Sequence, residues 1–307
     1  MFDVMLMLFA IVIVGYVAGK LGYMGGTFDK RLSKLVIDIT CPALILSSSM
    51  TGELPDRAMI LPLLAISVLT YALLTGIACL LPRFLSKKKE DWGVIGFALM
   101  FGNVGFMGYP VVASIFGHEA IFYAAVLNVV NTFTVFTIGT MLITGNEGFN
   151  SQKERRKALR KVLYSTPMLS AYLTMLIVAL EIDNIPSVVS QTLATIGNIT
   201  VPAALLIIGS SMSNLPLKAL LGTPTIYATA LLRLAILPVA VHFLCLALGF
   251  STLVASINTV VIAMPVATYG TILCLRHNKD TTFITEVTFI TTLLSMFSIP
   301  LLVSLLF

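Results

Sequence analysis

Long apolar runs alternate with short polar ones from one end of the chain to the other. Runs of this length match the roughly 20 residues that an α-helix needs to cross a hydrocarbon core about 30 Å thick. They predict spans over Phe2–Lys20, Lys34–Met50, Ala58–Phe84, Trp92–Phe116, Ala120–Thr144, Val162–Leu180, Val188–Met212, Thr223–Phe250, Leu253–Leu275 and Phe283–Phe307. The connections between them are too short for a soluble domain. The expected fold is an all-α integral membrane protein of ten transmembrane helices. The first run reads as a retained helix and not a signal peptide, because Met1-Phe2-Asp3 carries no Lys or Arg and the apolar run outlasts a signal's core.

Two runs are interrupted. Trp92–Phe116 contains Gly102-Asn103-Val104-Gly105-Phe106-Met107-Gly108-Tyr109-Pro110, with the break expected at Tyr109-Pro110. Leu253–Leu275 breaks at Met264-Pro265, followed by Thr268, Tyr269 and Gly270. Glycine and proline weaken or free backbone hydrogen bonds that lipid cannot replace, so such a break belongs where it faces protein or a polar cavity.

The pattern repeats. Asn198-Ile199-Thr200-Val201-Pro202-Ala203 echoes Asp38-Ile39-Thr40-Cys41-Pro42-Ala43, and Ser210-Ser211-Met212 echoes Ser48-Ser49-Met50. Ile60-Leu61-Pro62 likewise pairs with Ile236-Leu237-Pro238. Five spans separate the copies, and an odd number inverts the second copy in the membrane. This predicts two inverted five-helix halves, 1–144 and 162–307, joined by a basic linker over 145–161. Interrupted helices at corresponding places of inverted halves point to a binding site near the bilayer midplane.

Composition agrees: 58% hydrophobic residues, 11% charged residues and a mean hydropathy of +0.99 lie outside the soluble range. Of the 19 Lys and Arg, all but Arg57 and Arg233 fall in the first, third, fifth, seventh and ninth loops. The positive-inside rule then puts those loops in the cytoplasm and both termini outside a cell membrane. The net charge of +5 is a topology signal, with no nucleic-acid partner implied. Within the linker, Lys153-Glu154-Arg155-Arg156-Lys157-Ala158-Leu159-Arg160-Lys161 has the makings of a short interfacial helix. Gly15, Gly19 and Gly22 share a face of the first span and suit close helix packing.

The candidate chemistry is sparse. Half-helices starting after Pro110 and Pro265 would aim amide dipoles at a ligand, which suits a carboxylate. Asn103 either donates to that ligand or satisfies the opened backbone, and Asn128 and Asn131 share a face of the fifth span. Asp38, Arg233 and Glu286 are charged inside spans, with His242 a weaker fourth. Each buried charge costs at least about 2.5 kcal/mol and needs a partner or a cavity. Asp38 matches the neutral Asn198, so only the first half offers a titratable group. It either couples a proton or cation to transport or pairs with Arg233 or Lys34. Glu286 lies close enough to its helix end to snorkel. The four cysteines show no metal or disulfide spacing, and no catalytic motif is present, so neither a metal, a resident cofactor nor an enzyme is expected.

With Asn103 seven residues before Pro110 in an Asn-x5-Gly-x-Pro element, Arg233 five before Pro238, Met264-Pro265 ahead of the last helix and a central basic loop, the chain resembles the auxin efflux carrier family. That family includes plant auxin exporters and bacterial carriers of malonate and malate. The resemblance implies a fold like that of the sodium–proton antiporters: spans 1, 2, 6 and 7 as scaffold and homodimer surface, spans 3–5 and 8–10 as a moving transport domain, spans 4 and 9 crossing. It implies a small organic carboxylate bound beside the crossing, near Asn103 and Asn128 or Asn131, among Gly105, Gly108, Tyr109, Pro110, Met264, Pro265, Thr268 and Tyr269. Lacking the long cytoplasmic loop of the plant exporters, the chain sits nearer the bacterial organic-acid carriers. Transport of the anion by alternating access, with H+ or Na+ as possible coupling ions, is the expected function. A sodium-coupled bile-acid-type symporter and a non-transporting metabolite sensor are the alternatives.

Overall fold

The computed structural model describes residues 2–51, 54–145, 156, 160, 163–213, 222–277 and 279–307, with side chains described from Leu6 and without those of 275 and 276. The expected linker helix and Lys218 lie outside the described residues, apart from isolated positions of the former. Twelve helices carry the described chain: α1 Phe2–Lys20, α2 over 26–47, α3 Arg57–Leu85, α4 Lys89–Met100, α5 Val104–Phe116, α6 Ala120–Thr144, α7 Thr166–Ala179, α8 Ser187–Ser213, α9 Pro224–Ala247, α10 Thr252–Ile262, α11 Tyr269–Arg276 and α12 Thr282–Leu306. Among the described residues no strand forms. Five helices, α3, α6, α8, α9 and α12, are long and apolar enough to cross a membrane, and α5, α7, α10 and most of α1 are shorter apolar helices.

Local chemistry sets the ends. The Asp56 carboxylate accepts from the Ala58 N–H at 2.8 Å and starts α3. Ser251 does the same for α10 through the Val254 N–H. Pro224 opens α9 at a position whose N–H has no intrahelical partner. Gly117, at φ +92°, and Gly249, at φ +81°, end α5 and α9 in conformations closed to most side chains. Inside the helices, Thr134, Thr137, Thr140, Thr144, Thr291 and Thr292 return their hydroxyl protons to the carbonyl four residues back, so no polar group of theirs faces lipid unpaired.

Four helices contain a widened π turn: Val36–Thr40 in α2, Val104–Gly108 in α5, Val135–Gly139 in α6 and Leu232–Ile236 in α9. In three of them a proline follows directly, as Pro42, Pro110 and Pro238, at the second residue of the resumed α-helix. A proline ring clashes with the carbonyl one turn back, and widening that turn relieves the clash without breaking the helix.

The chain divides into two compact units. The first comprises Met1–Leu63, Gly105–Val126 and Tyr164–Pro216. In it α1 lies along α8 at glycine-backbone contacts: a methyl on Gly15 would collide with the Leu206 carbonyl, and one on Gly209 with that of Val12. Gly19 meets Ser213 in the same way, whereas Gly22, at φ +81° with open space around it, ends α1 and packs against nothing. Gly197 admits the backbone of Ala43 and Leu44, and the buried Thr200 hydroxyl donates to that of buried Thr40 at 2.9 Å. Arg57 and Glu181 form an ion pair at 3.1 Å.

The second unit comprises Leu64–Val104, Leu127–Leu163 and Leu217–Phe307. Gly93 brings α4 onto the Leu142 carbonyl of α6, and Gly96 brings it onto the Ala78 carbonyl of α3. Gly139 and Gly270 both make room for the Phe97 ring. His242 is buried, its Nδ1 3.1 Å from the Thr259 hydroxyl, so this ionisable group of α9 has a neutral partner.

His118, in the turn between α5 and α6, gives the first unit a pH dependence. The Ser47 hydroxyl donates to the Leu44 carbonyl, which leaves its oxygen to accept from His118 Nε2–H at 3.3 Å. Partial burial, the larger influence, holds the imidazole below its usual value, against the opposing pull of the Glu119 carboxylate and the Ser47 contact. A histidine depressed on folding binds its proton more readily in the unfolded chain. Its contribution is therefore present above the unfolded value of about 6.5 and is lost as pH falls through and below it. Thermal unfolding between pH 7.5 and 5.5 is expected to show a fall in melting temperature that a His118→Gln variant reduces.

Candidate functional site

The second unit holds a crossing of two extended stretches of backbone, each an interruption between helices. Helix α4 ends at Met100 and α5 begins at Val104; α10 ends at Ile262 and α11 begins at Tyr269. Between these ends the two extended stretches pair antiparallel through their main chains. The Asn103 N–H donates to the Pro265 carbonyl at 2.8 Å, the Ala267 N–H donates to the Phe101 carbonyl at 3.0 Å, and Gly102 faces Val266. The Val266 N–H donates to the Thr291 hydroxyl of α12 at 3.1 Å. Backbone opened inside an apolar unit is thus re-satisfied by protein.

Pro110 does not make the first break. The helix is interrupted at 101–103, and Pro110 lies inside α5, carried by the π turn before it. The second break does contain Met264-Pro265, as expected. The amides of Val266 and Ala267, in the extended stretch between Pro265 and the start of α11, are spent on Thr291 and Phe101.

Arg233 organises the crossing. It is fully buried on the π turn of α9; its Nε donates to the Met264 carbonyl at 3.0 Å, and its Nη1 to the carbonyls of Leu99 and Met100 at 3.0 and 3.2 Å. Those oxygens lie at the C-terminal ends of α4 and α10, where unpaired carbonyls carry partial negative charge. One guanidinium, with donors in a fixed fork, neutralises both ends. The expected pairing of Arg233 with Asp38 is therefore corrected: its partners are main-chain carbonyls. Gly102 lies against Nη2, with no room for a side chain.

A second polar feature adjoins the crossing. The Tyr71 hydroxyl donates to Asn131 Oδ1 at 2.7 Å, and Asn131 Nδ2 donates to Asn128 Oδ1 at 2.8 Å. Tyr71, Asn131 and Asn128 thus form a relay in which each donor engages the next acceptor. The Tyr71 ring stacks on Phe101, 6.2 Å between centroids and 19° between planes, tying the relay to the crossing. Tyr71 is not among the site residues expected from the sequence. Its signal is the polar stripe Ser67, Thr70, Tyr71 and Thr75 at helical spacing in an otherwise apolar run. Asn258 of α10 donates to Thr70 on that stripe at 3.0 Å.

The remaining expected site residues divide between the units. In the second, Asn103 and Met264 are buried, Thr268 is exposed, Tyr269 packs edge-on against Phe136 and Glu286 is half-buried on α12. In the first, Gly105 is exposed with open space around it, and Gly108, Tyr109 and Pro110 are buried. Asp38, on the π turn of α2, and Asn198 are both exposed, either side of the Thr40–Thr200 hydrogen bond.

The sequence profile of the Mem_trans family, described as membrane transport protein, matches residues 1–303. The chain belongs to this family, the auxin efflux carriers. Two archaeal relatives of this carrier bear the description uncharacterized transporter. The protein from Methanothermobacter thermautotrophicus is 28% identical over 303 residues, covering 97% of this chain and 96% of the relative. The one from Methanocaldococcus jannaschii is 27% identical over 304 residues, with the same coverage.

Proposed function

We propose that this carrier is a secondary transporter that moves a small organic anion, a mono- or dicarboxylate, across the cell membrane by alternating access. The observation that carries the reading is the Arg233 fork. Carbonyls at half-helix C-termini are the groups that hold coupling cations in transporters with broken helices. Here three of them are occupied by a resident cation. The positive charge of Arg233, partnered there by neutral carbonyls alone, suits an anionic ligand, and the sodium-coupled alternative loses its most suitable oxygens. Ten spans in two inverted halves, 1–144 and 162–307, with basic loops cytoplasmic and both termini outside, form the framework of this reading. The Thr40–Thr200 bond, between residues at the offset of the sequence repeat, supports it. So does the pairing of the two interrupted segments. Helices 1, 2, 6 and 7 of the ten act as scaffold and homodimer surface, the others as the moving part, and Asp38 is the coupling group.

Counterflow of labelled carboxylates into proteoliposomes, with and without imposed pH and sodium gradients, tests this. Asn103→Ala is expected to weaken substrate affinity about tenfold, the worth of a hydrogen bond to a charged group. Asp38→Asn is expected to flatten the pH dependence of transport while leaving a folded protein. Binding without counterflow would favour a sensor and overturn the transporter reading.

A further inference from the structure

The start of α2 has three distinct faces. Leu32 packs against a cluster of Val36, Ala203 and Ile207, and Asp29 turns the same way, its carboxylate accepting from the Gly25 N–H at 2.9 Å and from the Ser210 hydroxyl at 2.6 Å. On the outer side Lys30, Arg31 and Lys34 are all exposed, spaced one and four residues apart so that they form a single stripe. Lys20 at the end of α1 adds a fourth exposed cation, its ammonium 5.7 Å from the Tyr16 ring centroid. Among the described residues none of these four cations has a salt bridge. The acidic groups nearest in sequence are Asp29, already engaged, and Asp38, exposed a turn beyond Lys34.

The third face is apolar and open. Tyr23 is 77% exposed and Phe28 53%. Leu35 and Ile39, seven and eleven residues on from Phe28, are exposed along the same side of α2. A cationic stripe bordered by open aromatic and aliphatic side chains suits neither water alone nor hydrocarbon alone. It matches a boundary at which phosphate lies next to acyl chain.

We propose that this edge of the first unit is a binding site for an acidic phospholipid of the cytoplasmic leaflet. The cations of Lys30, Arg31 and Lys34 take the headgroup phosphate, Tyr23 and Phe28 sit at the glycerol level, and an acyl chain runs over Leu35 and Ile39. Cytoplasmic placement rests on the topology proposed above; the lipid chemistry does not. A neutral headgroup lacks the net negative charge that would offset these exposed cations, so selectivity for acidic lipid is the distinguishing property.

The purified full chain in detergent is melted with added phosphatidylglycerol, phosphatidylcholine or inorganic phosphate. Phosphatidylglycerol is expected to raise the melting temperature by about 4 °C or more over phosphatidylcholine. Lys30→Gln/Arg31→Gln/Lys34→Gln should lose most of that gain while melting like the parent in phosphatidylcholine. The same charge removed elsewhere, in Lys87→Gln/Lys88→Gln/Lys89→Gln, should keep it. Should the triple variant fail to fold, Arg31→Gln alone is expected to lose a measurable part of the gain. An undiminished gain in these variants, an equal gain with phosphatidylcholine, or the whole gain with inorganic phosphate would overturn the site. A Thr27→Cys variant, labelled in sealed cells by an impermeant maleimide, tests the topology separately. Labelling from outside would overturn the cytoplasmic placement even where the lipid shift persists.

Discussion

Replacing Arg233 with leucine is expected to abolish transport and to destabilise the second unit by about 3 kcal/mol. The side chain is fully buried, and its three hydrogen bonds go to carbonyls that have lost their helical partners. Each buried carbonyl left unpaired costs about 1–3 kcal/mol. The gain from no longer burying a charge offsets part of that sum. The functional effect exceeds the energetic one, because the same fork sets the distance between the ends of α4 and α10. Arg233→Lys keeps the charge but has no planar fork to reach three oxygens. It should therefore recover more stability than counterflow. Melting curves and counterflow on the same preparations check this, and normal transport by Arg233→Leu would remove Arg233 from the mechanism.

Gly102→Ala is expected to lower transport at least tenfold in a protein that still inserts and folds. A methyl group there would overlap Arg233 Nη2 and stand 3.1 Å from Met264 Cβ. Because Gly102 faces Val266 within the antiparallel contact, the added carbon pushes apart the stretches that the Arg233 fork holds together. Overpacking of this kind costs about 1–3 kcal/mol. Gly76→Ala is the matched control, since its Cβ would likewise enter open space. A Gly102→Ala protein as active as Gly76→Ala would show that the approach of the two stretches is not required.

The periodicity of the chain was enough to place most of the helices. Lipid-length apolar runs separated by polar turns leave few alternatives, and the expected Phe2–Lys20 and Ala120–Thr144 runs coincide with α1 and α6. The repeat aligns the hexapeptides that contain Thr40 and Thr200, and these two hydroxyls meet. Proline was the misleading signal. Pro110 looked like the breaker because a proline ring removes a hydrogen bond, yet a π turn absorbs it and the interruption falls at Gly102. Gly22 misled in the same way, matching the packing face of Gly15 and Gly19 by spacing while serving as a helix terminator.

Sequence by itself thus determined the membrane class, most of the helices and the presence of two interrupted ones, because hydropathy and backbone-breaking residues act over a few neighbouring positions. Only the tertiary structure decided the partners. That Arg233 takes the carbonyls of Leu99, Met100 and Met264 in place of Asp38, and that Tyr71 feeds the asparagine relay, depends on contacts between segments up to 134 residues apart. Hydrogen bonds are selected by where packing brings donors and acceptors, which no local pattern encodes.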